Sequence, residues 1–400
     1  MTLVRVAILG GGYAGVRAVQ EILRHDLDAE IVLVDRGHYH QVVTEMYKVA
    51  AGAEQPSGVQ FPLRRLLPAS PRLMMLQAEV QSLDPRERIV RTDRGTVPYK
   101  RLVLALGSAP EYYGVAGAEE HALTLRYLDS AVRVRRRLRS LRASGGGRVV
   151  IVGGGLTGVQ LAGEIADHLA KDIHISIVQA TPAILPEEDE ELASYVEREL
   201  VQHNIKIYRG EPASEVLPHS VKLTSGCEIP SDLTIWTGGV RANQIPQEAG
   251  LPCDGRGRVL VDAQLEVEGH PGVFAAGDIA HIPSPDGKHA LPPTAQLAVQ
   301  EGLQAGRNIV RVLRGDEPQA LHARVLGTAA AIGDRHGIAN IGRFRLTGRA
   351  GHAMHELALL RYLYGVGGLG LLRREAYLSW SRPPREELAA PPQHRAGSSA

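Results

Sequence analysis

Gly10, Gly12 and Gly15 stand in G-x-G-x-x-G spacing, and Gly153, Gly155 and Gly158 repeat it. Each triplet follows a short apolar, β-branched run, residues 4–9 in the first copy and RVVIV in the second, and each opens a stretch of helical periodicity. After the first triplet Val16, Val19, Ile22 and Leu23 share one face, and a second apolar run, 31–34, ends in Asp35. Strand, turn, helix, strand and terminal acid suit one ligand chemistry. The first glycine permits a tight turn, the second leaves room for a pyrophosphate, and the third lets helix and strand approach closely. Phosphate oxygens would meet the N–H groups and positive end of the helix. Asp35 is placed to accept hydrogen bonds from ribose hydroxyls. A dinucleotide is therefore the expected ligand, and repetition of the whole unit is much stronger evidence than one glycine motif. In the second copy the place of Asp35 is taken by Gln179, at the end of HISIVQ. Glutamine can bond a ribose hydroxyl but lacks the charge that repels a 2′-phosphate, and the following ATPAIL carries no arginine to attract one. NADH is the favoured donor there, with NADPH left open.

Other residues carry weaker signals. Gly238 and Gly239 follow the strand-like run 233–236, and Asp278 follows 273–276. Carboxyl ends of strands are where open α/β sheets bind ligands, although ordinary turns remain open for both. Pro292, Pro293 and Thr294 precede a long helical stretch, with Thr294 as its cap. His38 and His40 have no acids at ligand spacing, so they read as hydrogen-bonding loop residues and no metal is expected. Cys227 and Cys253 form neither a disulfide framework nor a metal cluster and read as small core or turn residues.

The elements that must position these residues fit a chain of 400 residues, enough for two or three domains. With 44 % hydrophobic and 22 % charged residues the composition is that of a globular protein, and a net charge of +1 gives no electrostatic case for nucleic acid. No charge-free apolar run has the length of a membrane span, and no signal peptide is read ahead of the first strand, so a cytoplasmic protein is expected. Strands are expected at 73–83, 89–97, 102–106, 221–229, 233–236 and 273–276. Helices are expected at 128–141 and after Pro186 to 202. The first of these carries Arg133, Arg135, Arg136, Arg137 and Arg139, with Arg142 beyond it, and reads as a solvated face. Two short strands should meet through Gly333, Asp334 and Gly337. Between 352 and 372, Leu357, Leu360, Leu363 and Tyr364 form one apolar face, which suits a packing or dimer helix or one lying in lipid headgroups. Residues 381–400 are rich in Pro, Ser and Ala and read as disordered. The expected class is α/β: two Rossmann-like dinucleotide-binding domains with a C-terminal α+β region. The domains expected are 1–110 with 265–325, then 111–264, then 326–380.

The strings ILGGGYAG, VDRGHYH with YKVAAG, YKRLVLALGS, VIVGGGLTGVQLAGE, IWTGGVRAN, VFAAGDIA and PPTAQLAVQ resemble the two-dinucleotide-fold flavoproteins. The chain is most similar to the type II NADH:quinone dehydrogenases, non-electrogenic members of the pyridine nucleotide-disulfide oxidoreductase superfamily. The match runs from about residue 3 to 345 and more weakly to 380. It implies FAD as cofactor, NAD(P)H as substrate, and two electrons passed on to a quinone without proton pumping. It implies FAD contacts at Gly10, Gly12, Ala14, Gly15, Asp35, Arg36, Val80, Ala105, Leu106, Gly107, Asp278 and Ala295. Gly153, Gly155, Gly158, Gln179, Gly238 and Gly239 would serve NAD(P)H. Gln160, Gln296 and Gln300 would be catalytic, the last two facing the quinone. The chain departs from the family in having Gln160 and Gln179 where acids are usual, and in a C-terminal stretch carrying His352, His355, Glu356 and Arg361. Peripheral contact with the inner face of the cell membrane and a homodimer are both left open. An NAD(P)H:ferredoxin- or rubredoxin-type reductase and a flavin-bearing redox sensor of low turnover are the alternatives.

Overall fold

Strand Val4–Leu9 forms because Val6, Ala7, Ile8 and Leu9 are apolar on both faces, and all four are wholly buried. The structure is a computed structural model that describes residues 4–169, 173–284 and 290–380; the expected tail 381–400 lies outside them. Contacts group the chain into two units. The first comprises the described residues of 4–42, 60–111 and 239–326, the second those of 43–59, 112–238 and 327–380.

In the first unit Val4–Leu9 lies between two parallel neighbours, Ala29–Asp35 and Arg101–Leu104; Leu73–Gln77 and Val273–Ala275 complete a five-stranded parallel sheet. Helices Tyr13–Leu23 and Ala295–Arg314 pack together at backbone distance. A Cβ added to Gly302 would stand 2.1 Å from the Ala14 carbonyl oxygen, and one on Gly306 2.9 Å from that of Ala18. The run expected as one strand at 73–83 is two. Leu73–Gln77 ends in the parallel sheet, the Ala78 N–H donates to the Asp35 carbonyl at 2.9 Å, and Val80–Asp84 starts a separate antiparallel sheet with Ile89–Thr92 and Gly95–Pro98. The 89–97 run is likewise split, by a tight turn before Gly95.

The second unit repeats the plan. Gly147–Val152 pairs in parallel with Ile173–Gln179 and Leu233–Trp236, and Lys206–Arg209 and Ala122–Thr124 are the outer strands. Helices Leu128–Ala143, Leu156–Leu169, Glu190–Gln202 and Met46–Ala51 share one apolar core with Val149, Ile151 and Ile177. The expected strand 221–229 is a hairpin, Ser220–Leu223 with Glu228–Pro230, reversing through Gly226. Where two late strands were expected there are three, Thr328–Ile332, His336–Ile341 and Phe344–Thr347. Helix Gly348–Trp380 packs on them and is broken at Gly368 (φ 62°). Its apolar residues divide: Leu363, Val366 and Leu371 are buried, whereas Leu357, Leu360, Tyr364 and Leu369 are exposed. The single apolar face expected from the sequence is therefore two faces. Arg135 departs from its solvated neighbours in the same way. It turns inward and donates to the Glu54 carbonyl at 3.1 Å, while Arg133, Arg136, Arg137 and Arg139 stay exposed.

Candidate functional site

The first glycine turn is built by steric necessity. A Cβ on Gly10 would meet the Ala105 carbonyl oxygen at 2.2 Å, and one on Gly15 the Gly10 carbonyl oxygen at 1.8 Å. Neither obstacle is a flexible side chain. Gly12 differs: a Cβ there meets nothing within 4 Å. Gly12 caps helix Tyr13–Leu23, whose first N–H groups have no carbonyl partner within the helix. An open cradle at a helix amino end fits a pyrophosphate.

Gly11, between the first two glycines, is held from both sides. Its N–H donates to Asp35 Oδ2 at 2.6 Å, and its carbonyl accepts from His40 Nδ1 at 3.1 Å. A carbonyl only accepts, so Nδ1 carries the proton. Burial lowers the His40 imidazole to about 4, which keeps it neutral, and its ring meets Tyr13 edge-on at 5.0 Å. Asp35 Oδ1 accepts from Gly37 N–H at 2.7 Å. Burial pushes the Asp35 carboxyl up against the two N–H donors and Arg36. Each oxygen keeps a lone pair for a ribose hydroxyl.

The other residues expected at this site fall in the same unit. Ala105, Leu106 and Gly107 follow strand Arg101–Leu104, and the Gly107 carbonyl accepts from Asn243 N–H at 3.1 Å. Ala14 is buried under Gly302. Arg36 is exposed, and its carbonyl takes a bond from Gln77 at 3.3 Å; Val80 begins the antiparallel sheet. Asp278 follows strand Val273–Ala275, and its Oδ2 accepts from the Ser108 hydroxyl at 2.7 Å. Thr294 caps the helix that begins at Ala295, accepting from Leu297 N–H at 3.4 Å, as its sequence position suggested. The carboxamides of Gln296 and Gln300 hold the backbone of 324–326: Gln296 accepts from Leu326 N–H at 2.9 Å, and Gln300 bonds both backbone groups of Arg324 at 3.0 Å.

The second turn copies the first. A Cβ on Gly153 would stand 2.6 Å from the Thr237 carbonyl, one on Gly158 1.9 Å from the Gly153 oxygen, and one on Gly155 would meet nothing within 4 Å. Gly154 is clamped as Gly11 is, by neutral partners: its N–H donates to Gln179 Oε1 at 2.7 Å and its carbonyl accepts from Leu185 N–H at 2.9 Å. Gln179 Nε2 donates to Thr181 Oγ1 at 2.6 Å. Gly238 packs against the Trp236 ring, while Gly239 belongs to the first unit and accepts from Glu111 N–H at 3.0 Å.

Gln160 lies on the helix after this turn, 7 % exposed, and hydrogen-bonds Tyr47. Sequence reasoning missed what surrounds it. The Tyr47 hydroxyl is 3.2 Å from His355 Nε2; His355 is 3.5 Å from Glu45; Lys48 joins Glu45 at 2.9 Å and Glu356 at 2.7 Å. Burial would raise the Glu45 carboxyl, but Lys48 and His355 pull it down to about 2. The advance signals were the string YKVAAG and the polar His355 and Glu356 in the C-terminal stretch, with nothing to join the two. Of these two polar residues on the C-terminal helix, His355 is buried in the unit, while Glu356 stays half-exposed and reaches Lys48 at its edge.

His168 Nε2 lies 3.2 Å from Glu164 and 3.6 Å from Asp334, an arrangement that could take a cation but is complete as an imidazole between two carboxylates. Cys227 sits exposed beside a hairpin turn and Cys253 is half-buried, both unpaired as disulfides.

Comparison with known proteins agrees with this geometry. A "Type II NADH:quinone oxidoreductase" of Staphylococcus epidermidis is 26 % identical over 92 % of this chain and 97 % of its own length. The NDH2 of Plasmodium falciparum, solved with NADH, superposes with a TM-score of 0.84 at 15 % identity, covering 96 % of this chain and 99 % of that one. The sulfide:quinone oxidoreductase of Aquifex aeolicus gives 0.76 at 19 % identity, over 94 % and 91 %. The family description "Pyridine nucleotide-disulphide oxidoreductase" matches residues 4–302, the span holding both glycine turns. By that match this chain belongs to the pyridine nucleotide-disulphide oxidoreductase family.

Proposed function

We propose that the protein is a FAD-dependent NAD(P)H:quinone oxidoreductase of the type II kind, passing hydride from NADH to FAD and two electrons on to a quinone without proton pumping. The observation that carries this reading is the pair of glycine cradles, alike in backbone and each with its middle glycine facing open space. The name borne by the staphylococcal relative supports the choice of donor and acceptor. FAD, when bound, supplies the two-electron chemistry, so the chain's task is holding and orientation. Gly12 and the amino end of helix Tyr13–Leu23 would take its phosphates. Asp35 would take its ribose, and Asp278 its ribityl–phosphate region. The amino end of helix Ala295–Arg314 offers partial positive charge to a reduced ring. Gly155, Gly158 and Gln179 would hold NADH, and Gln160, fixed by Tyr47, would orient the nicotinamide. Gln296 and Gln300 would shape the quinone wall through the backbone they hold.

No helix among the described residues is long and apolar enough to cross a membrane. Leu357, Leu360 and Tyr364, exposed on the C-terminal helix, would provide peripheral contact with lipid headgroups or a homodimer face. The function is tested anaerobically: NADH should bleach the bound flavin quickly, and a short-chain quinone should restore its colour. Slow bleaching with both NADH and NADPH gives the sensor reading; recovery only with an iron–sulfur protein gives the reductase.

A further inference from the structure

Glu301, on the second turn of helix Ala295–Arg314, is a buried acid with no part in the scheme above. It is 4 % exposed, and its Oε2 accepts from Gly277 N–H at 2.6 Å. That N–H belongs to the turn presenting Asp278. The turn is crowded: a Cβ on Gly277 would touch the Ala14 and Ala298 methyls at 3.3 and 3.6 Å. The charged group acting on Glu301 is Asp278 on the turn; the charged residues of the packed helix Tyr13–Leu23 are Arg17 and Glu21, and Glu21 is engaged by Arg24 and Arg307. A buried carboxylate with one N–H donor and a second acid beside it is costly to ionise.

Resting on the FAD reading, we propose that Glu301 is a positioning residue of the FAD site, a proton-linked clamp on the Gly277–Asp278 turn that holds FAD more tightly when protonated. Ionised, it adds a second negative charge behind Asp278, facing a pyrophosphate that is already anionic. Protonated, it leaves Asp278 alone on that turn. Burial pushes the Glu301 carboxyl up to about 7 against the pull of the Gly277 N–H, and Asp278 adds to the push, so the change falls at neutral pH. By linkage, FAD binding then takes up a fraction of a proton between about pH 6 and 8.

The test follows FAD release from the holoprotein by recovery of flavin fluorescence, in wild type, E301Q and E301A. Glutamine keeps an acceptor for the Gly277 N–H but cannot titrate. The FAD Kd of wild type should rise about five- to tenfold from pH 6 to 8, that of E301Q by less than about twofold, and E301A should bind weakly throughout. Asp35 is present in all three, so the difference isolates Glu301. If E301Q does not fold, calorimetry of FAD binding to wild-type protein in two buffers of different ionisation enthalpy counts the proton directly. A pH-independent wild type, a full slope retained in E301Q, or no proton taken up overturns the clamp while leaving the FAD site standing. A protein that holds no FAD at any pH overturns both.

Discussion

The two glycine turns share a backbone and differ in what holds it. In the first, Gly11 is gripped by a carboxylate, Asp35, and a buried imidazole, His40; in the second, Gly154 is gripped by the carboxamide of Gln179 and the backbone N–H of Leu185. In both, the outer glycines touch carbonyl oxygens and the middle one touches nothing. The outer glycines therefore answer to the fold, the middle one leaves open the space where a dinucleotide is proposed to lie, and the strand end carries a charge in one turn and none in the other.

That contrast is most severely tested within one turn. Gly15→Ala drives a methyl into a backbone oxygen and should cost on the order of 4 kcal/mol or more, leaving little folded protein in chemical denaturation. Gly12→Ala should leave stability within about 0.5 kcal/mol yet strip the flavin absorbance, because its methyl fills only the cradle. Equal damage from both would dissolve the distinction.

The next effect belongs to His40 alone. Its folded pKa, about 4, lies below its unfolded value, so between about pH 6.5 and 4 the unfolded chain binds the extra proton and stability falls as the pH falls. That contribution is on the order of 3 kcal/mol. Glu301, raised to about 7, works in the opposite sense, losing stability as the pH rises. The comparison must therefore be made as wild type against His40→Asn, whose unfolding midpoint should drop less steeply on acidification; matching slopes would remove His40 from the clamp.

A smaller effect tests the strand ends. Gln179→Glu should lower kcat/KM for NADPH about tenfold relative to NADH, by repelling the 2′-phosphate. An unchanged ratio would mean that Gln179 only braces Gly154. The smallest concerns the C-terminal helix. Leu360→Ser with Tyr364→Ser should reduce flotation with anionic vesicles a fewfold without altering flavin reduction by NADH in solution. If it instead shifts the sedimentation of the protein alone, the face meets a second copy.

Much of this was legible along the chain because local physics governs it. The glycine spacing, the Thr294 cap, Asp35 at its strand end and Asp278 in the turn after Val273–Ala275 are fixed by turns and helix ends a few residues long. The splitting of 73–83 and 221–229 was not legible, since an apolar run carries no mark of which sheet will claim its halves. Nor did the helix at 46–51 show that it would join the second unit, because the helices it packs on lie about eighty or more residues away.

Sequence alone settled that there are two dinucleotide cradles, since a backbone that must pass within touching distance of itself admits only glycine. Which polar groups are buried together was settled only by tertiary packing. Tyr47 meets His355, and Glu301 reaches Gly277, across separations that no periodicity encodes. The ionisation of such groups depends on the water and charge that the folded chain removes or places around them, so it exists as a property only once the chain has folded.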